Sequence, residues 1–479
     1  MSSLKGNIIL NYINTISGLI FPIITFPYAA RVLMPEGIGL VNFQNSIIGY
    51  IVLLTSLGIP LYGVREIAQC RSDIELRDRV TVEILILSIS LCLLGYIVVW
   101  LLGSYVPRIH EEATLFYILS LTIIFTGIGA QWFYQGIEDF FFITVRGLVV
   151  RILFAACLFI FVRHKDDLLI YGILIVGSTV GNYLVNFIHL RKFLHLTIIK
   201  WNQLDIARHI KPAFRIFLLN VVISIYIRLN IIMLGFMVDD HSVGLFTAGM
   251  KLTHLITVVV TSLGTVMLPR CSHLISENKF DEFNTVITKS YHLLMFSAIP
   301  LTVGIIFLAR PITECFCGSD FIGAIPVVIY TAPTIVFIGL TNIIGIQILY
   351  PYGKENLVII STLVAAAVNV ILNILLIPPL GATGAAISTL ISEFSVLVAQ
   401  VRLGKAMIPF SYLDHQICNY LVATILMSLC ISVCLYIPNI WCQMFVGVVV
   451  GFVIYMTVLF LRKDTVLFEV FSSLRRRCR

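Results

Sequence analysis

The side chains best able to act on a solute are basic groups sunk in apolar sequence. Arg151 lies in the run 143–162, Arg228 in 212–236 and Lys251 in 243–267. Arg151 stands about eight residues into its run, hence ~12 Å deep at ~1.5 Å per residue. A charge facing lipid at such depth costs several kcal/mol, so each is expected to face a bundle interior or an aqueous cavity. Arg146 and Arg215 fall near one end of their runs and Arg31 and Arg310 near the other, so the set samples both mouths of a conduit. Arginine presents a planar fork of donors and keeps its charge in a partly dry site, and a lumen of fixed guanidinium groups therefore suits a diphosphate. The competing reading of any one of them is a side chain that snorkels to headgroups or bonds a neighbouring helix.

Neutral polar groups recur at helical spacing. Asn7, Asn11, Asn14 and Ser17 form one set, Asn42 and Asn45 another, and Asn220, Ser224 and Arg228 a third. Steps of three or four residues make one polar face per helix. Such a face fits a polyhydroxylated solute, and it fits interhelical hydrogen bonds worth ~1 kcal/mol each equally well. Glu393 is the one clearly central carboxylate, about eleven residues or ~17 Å into its run. It is the candidate for a proton or Na+ coupling site, with a salt bridge to a luminal arginine as the alternative. Pro22, Pro27 and Pro60 mark candidate kinks, because proline removes a backbone hydrogen bond.

No set of residues suggests covalent catalysis. The chain has no glycine-rich phosphate loop and no plausible Ser/His/Asp or paired-carboxylate site, and its eleven cysteines have no metal-ligand spacing. No catalytic residue, metal or cofactor is expected beyond H+ or Na+ as a coupling ion. A polytopic polysaccharide polymerase or ligase would need a large outer loop, and every outer joint here is short.

The elements that must position these groups are membrane helices. With 59% hydrophobic and 12% charged residues, the 479-residue chain has no means of building a water-soluble surface. Apolar runs cover 7–30, 38–60, 80–103, 113–135, 143–162, 168–190, 212–236, 243–267, 291–310, 324–348, 355–377, 382–404, 416–437 and 441–461. Each is long enough to span a hydrocarbon core of about 30 Å as a helix. Basic residues crowd alternate joints, among them Arg65, Arg71, Arg77 and Arg79, then Arg191 to Lys211, then the tail from Arg462. The other joints hold only Arg31, Arg108, Arg163 and Lys165. That asymmetry predicts cytoplasmic termini and accounts for most of the net charge of +7, leaving little reason to expect nucleic acid as a partner.

The chain also echoes itself. Gly39-Leu40 to Thr55-Ser56-Leu57-Gly58 returns as Gly244-Leu245 to Thr261-Ser262-Leu263-Gly264, and 133–139 is echoed by 350–356. A duplicated six-helix unit follows, with its axis along the membrane normal. The expected organisation is all-α, with fourteen spans: a lobe at 1–190, a cytoplasmic linker at 191–211, a second lobe at 212–404, an accessory helix pair at 416–461 and a basic tail at 462–479.

Asn11-Tyr12, Pro27 to Leu33, Pro35-Glu36-Gly37-Ile38-Gly39, Tyr62 to Ala68 and Gln131-Trp132-Phe133-Tyr134-Gln135-Gly136 carry a resemblance. They resemble the polysaccharide transport branch of the multidrug/oligosaccharidyl-lipid/polysaccharide exporter superfamily. That resemblance implies two lobes around a cationic cavity, alternating access, and a flippase for undecaprenyl-diphosphate-linked O-antigen or capsule units in the bacterial inner membrane. It implies membrane lipids and other polysaccharide assembly proteins as partners, and gating helices in spans one, two and seven. Export of organic cations is the alternative within the superfamily, although the sparse acidic groups do not favour it.

Overall fold

The computed structural model describes residues 4–195, 197 and 201–468, without the side chains of 4, 5, 7–9, 11, 12, 19, 219–227, 263, 265 and 266. Every regular element among the described residues is helical. In lipid a helix pairs each backbone group within its own segment, which long apolar runs require. Among the described residues ten helices are long and apolar enough to cross a membrane, or eleven if the bent pair Ser319–Thr331 and Thr334–Leu349 forms one crossing. The chain divides into two compact units, Met1–Gly244 and Leu245–Arg479.

The first unit opens with α1 (Leu4–Ser56), whose 53 residues contain a break at Met34, φ 62 and ψ 173. At ~1.5 Å per residue this is far longer than one crossing. Thus the runs 7–30 and 38–60 meet at a sharp break instead of a loop. Met34 precedes Pro35, whose ring keeps its neighbour out of the α region. Pro22 and Pro27 lie inside helix, within the first of the two runs. Pro60 follows the end of α1. Leu57 and Gly58 take positive φ, and Pro60 sits in the first turn of α2 (Ile59–Gln69), where its missing N–H leaves no bond unmade.

The unit continues through α3 (Ile74–Tyr105), α4 (Pro107–His110), α5 (Ala113–Ile128), α6 (Gln131–Gly136), α7 (Phe140–Phe161), α8 (Leu168–Leu190) and α9 (Ala207–Met237). Asp73 and Asp139 cap α3 and α7 by accepting from the Leu76 and Phe142 amides. The Gln131 to Gly136 motif is core: Trp132, Phe133 and Tyr134 are buried, and Gly63 of α2 leaves room for the Trp132 indole. α9 packs on α1 and α2, so it belongs with this unit, as does the first turn of α10 (Asp240–Ser276).

The second unit holds the rest of α10, α11 (Phe280–Phe307), α12 (Ala309–Cys317), α13 (Ile325–Thr331) and α14 (Thr334–Asn342), which runs into a π-helical turn at Ile343–Leu349. Next come α15 (Glu355–Gly404), α16 (His415–Cys434) and α17 (Ile440–Leu461). α15 follows Pro378 and Pro379 with a break at Gly381, φ 54, which separates the expected runs 355–377 and 382–404. α16 and α17 pack together, and α16 packs on α11.

Candidate functional site

In the first unit α7 turns Arg151 toward α1. Its Nη1 donates to the Asn14 carbonyl at 3.1 Å, to Asn14 Oδ1 at 3.1 Å and to Ser17 Oγ. Gly18 and Gly147 leave space around these groups. A cavity of about 280 Å³ opens beside the guanidinium, with Gly18, Pro22, Thr25 and Ser178 among its lining residues. Arg151, Asn14, Ser17 and Pro22, singled out separately in the sequence, therefore meet at one place. The guanidinium has only part of its five-donor capacity engaged by these contacts, which suits an anion or polyol entering the cavity.

Arg146, one turn earlier on α7, is buried. It donates to the Asn182 carbonyl at 3.2 Å and to Asn186 Oδ1, and it lies over the Phe142 ring. Its geometry is that of a tie between α7 and α8, in contrast to the mouth expected for it. Arg228 on α9 rests against α1 at Gly49, where a Cβ would collide with the guanidinium. Asn45, one turn before Gly49, is half-buried, while Asn42 returns its amide to the Ile38 carbonyl at 2.7 Å. Arg31 and Arg215 are exposed. Asn7, Asn11, Asn220 and Ser224 lie outside the residues whose side chains are described.

The second unit carries the remaining candidates. Lys251 is half-buried on α10, near Cys317 of α12. Arg310 pairs with Glu314 at 2.7 Å and lines a recess of about 640 Å³ with Asn439, Trp441 and Gln443, next to the joint between α16 and α17. Glu393 is buried on α15, on a helix that also buries Asn369, Asn373, Ser388, Ser392 and Gln400. Asn373 donates to Asn369 Oδ1 at 3.0 Å, and Gln400 to Ser361 Oγ at 3.3 Å. A separate groove of about 350 Å³, almost wholly apolar, runs between α11, α16 and α17, past Phe296, Leu301, Met427 and Phe452.

Asp78 and Glu83 are buried carboxylates that the sequence alone does not single out. Asp78 accepts from Arg77 at 2.8 Å and from the amide and ring of His195 at 2.9 and 3.1 Å. Glu83 accepts from Arg79 at 3.0 Å, the Asp205 amide at 2.8 Å, His209 Nε2 at 2.8 Å and Arg208 at 2.5 Å. Both lie on α3, so the connector 191–211 is pinned near each end to the first unit. The signal for Glu83 was present: a carboxylate at i+4 from Arg79, entering an apolar run. Among the described residues no group of three or more His, Cys, Asp or Glu side chains is arranged to hold a metal.

Comparison with known proteins agrees with this architecture. A family model described as "Polysaccharide biosynthesis protein" matches residues 4–275, and a MatE model matches 215–375. A protein named "Putative O-antigen transporter" from Escherichia coli (strain K12) is 25% identical over 421 residues, covering 85% of this chain and 98% of its own. Its namesake from Shigella dysenteriae is 23% identical, covering 84% of this chain and 100% of its own. Among solved structures, lipid II flippase MurJ in an inward closed conformation superposes with a TM-score of 0.76 at 18% identity, covering 95% of this chain and 99% of that one. Since the first model spans more than half of its residues, the chain belongs to the polysaccharide biosynthesis protein family.

Proposed function

We propose that this chain flips an undecaprenyl-diphosphate-linked oligosaccharide, an O-antigen or capsule repeat unit, from the cytoplasmic to the outer leaflet of the bacterial inner membrane by alternating access. The observation that carries the reading is Arg151, a cation held by Asn14 and Ser17 beside a cavity of mixed polar and apolar lining within membrane-spanning helices. Its fork takes the diphosphate, and Arg228 and Lys251 extend the cationic path. Neighbouring amides and hydroxyls take the sugars without binding them too tightly to release. The apolar groove along α11, α16 and α17 seats part of the isoprenoid chain, whose remainder stays in lipid.

The full topology belongs to the same reading. Counting α1 and α15 as two crossings each, the bent pair as one, and α9 as a span gives fourteen crossings, with both termini cytoplasmic. Two six-helix repeats form the transport core, and α16 and α17 form the accessory pair. Glu393 couples the cycle to a proton or Na+ gradient. Other polysaccharide assembly proteins receive the product.

Liposomes carrying the purified protein and a fluorescent isoprenoid-diphosphate oligosaccharide test this. Protein-dependent transfer between leaflets is expected, slowed about tenfold or more by Arg151→Ala, since a hydrogen bond to a charged group contributes about 1.5–3 kcal/mol. The MatE match at 215–375 supports a second reading, organic cation export. Ion-driven cation efflux without lipid transfer would establish that reading and reject the first.

A further inference from the structure

The recess of about 640 Å³ formed by α12 and the joint between α16 and α17 lies wholly within the second compact unit. Polar groups stand on both of its walls, and much of their bonding capacity is open. Arg310 is exposed and spends only Nε, on Glu314 Oε1 at 2.7 Å, so the rest of its donor fork and the second Glu314 oxygen have no further bond among the described residues. Gln443 Nε2 donates to the Leu435 and Ile437 carbonyls at 3.0 and 2.7 Å, which leaves Oε1 to accept. Asn439 Oδ1 accepts from the Trp441 and Cys442 amides at 2.9 and 3.2 Å, which leaves Nδ2 to donate. Those four bonds also fix the shape of the joint. Trp441 adds an exposed indole to the same lining.

We propose that this recess is a second carbohydrate-binding site, which holds the glycan of an isoprenoid-linked sugar at the outer face of the membrane. The proposal rests on the topology and substrate class proposed above. A pyranose presents hydroxyls that both donate and accept, and C–H faces that are apolar. Donors and acceptors set around an aromatic plate match both properties, because an indole buries an apolar face while its neighbours take the hydroxyls. The volume falls within the range of about 300–1,000 Å³ usual for small-molecule sites. The recess also runs into the apolar groove of α11, α16 and α17. Phe307 and Pro311 line the recess while Leu308 and Ile312 line the groove, and Gln443 of the recess stands one turn before Gly447 of the groove. A polar recess continuous with an apolar groove fits an amphipathic ligand, with its sugar on Trp441 and its chain below. A tryptophan that only anchors the helix among lipid headgroups needs neither the Arg310–Glu314 pair nor the two open amides.

The test uses full-length protein in lipid nanodiscs, free of sugar-based detergent. The probe is the reducing oligosaccharide that mild acid releases from the source cell's own diphosphate-linked lipids, titrated by saturation-transfer NMR. Trp441→Ala and Glu314→Gln should each weaken binding at least fivefold at an unchanged unfolding temperature, and Trp441→Tyr, which keeps an aromatic plate, should restore most of it. No binding to the wild type, equal binding by wild type and Trp441→Ala, or loss that follows Arg151→Ala in place of Trp441→Ala would overturn the second site. The soluble probe crosses no membrane, so the recess is decided even if the reconstituted protein moves no lipid, and flipping without this binding would overturn the recess alone.

Discussion

His209 Nε2 stands 2.8 Å from the Glu83 carboxylate, and both side chains are wholly buried. The other ring nitrogen, Nδ1, meets the Tyr62 hydroxyl at 2.6 Å. One histidine thus ties the start of α9 to α2 and α3 together. A buried carboxylate loses hydration worth several kcal/mol, and donors from Arg79, Asp205, Arg208 and His209 offset that cost.

Removing the acceptor should therefore be expensive. Glu83→Ala leaves clustered cationic and amide donors without their shared partner and is expected to destabilise the protein by about 3–5 kcal/mol. Glu83→Gln, which keeps an acceptor, should lose less. Thermal unfolding in detergent measures both effects. Limited proteolysis should also show faster cleavage between 195 and 205 in Glu83→Ala; unchanged cleavage would mean that the connector is held by something else.

Gly49 offers a way to disturb Arg228 without weakening the fold. A methyl at this position would occupy the place of the guanidinium, a flexible group that can move aside. Alanine in a helix interior is favoured over glycine by about 0.8–1.0 kcal/mol. Gly49→Ala is thus expected to keep or raise the unfolding temperature while lowering flux several-fold. Equal flux in the two proteins would show that transport does not depend on how Arg228 is seated.

Asp414 should make part of the stability acid-sensitive. Burial pushes its carboxyl up, but the Ile417 amide at 3.0 Å and His292 Nε2 at 2.6 Å outweigh that and hold it below the ordinary aspartate range. A depressed carboxyl stabilises the fold above its unfolded value of ~3.9, and the contribution fades as pH falls through the lower folded value. The unfolding temperature should drop below about pH 4 in the wild type and less steeply in Asp414→Asn. Parallel curves would remove Asp414 from the acid response.

Membrane character was legible because apolar run length acts locally along the chain. The breaks were less legible. The joint between the runs 7–30 and 38–60 was legible from Pro35 and the glycines after it, but its form, a single non-helical residue at Met34 against the α10 turn, depends on the fold. Arg151 and Asn14 were both picked out, but only the fold brings α7 against α1 to join them. Arg146 illustrates the limit: depth from sequence marks a constrained charge and does not distinguish a cavity from a tie to Asn186. Glu36 and His241 carried no signal singly, because only the fold brings the break of α1 against the first turn of α10.

Glu393 is the residue proposed above for energy coupling. It is buried at 5% exposure on α15, near Ser388 and Ser392 in sequence, and it has a polar or electrostatic contact. A carboxylate in such surroundings either exchanges a proton or Na+ during the cycle or serves as a fixed structural anion. The two roles separate under an imposed gradient. If Glu393 couples, wild-type flux should rise several-fold with an inward proton or Na+ gradient, and Glu393→Gln should flip slowly and equally with or without it. If Glu393 is structural, the glutamine variant should lose unfolding temperature yet keep whatever gradient dependence the wild type has. Gradient-dependent flux of equal ratio in both proteins would remove Glu393 as the coupling site and leave coupling itself intact.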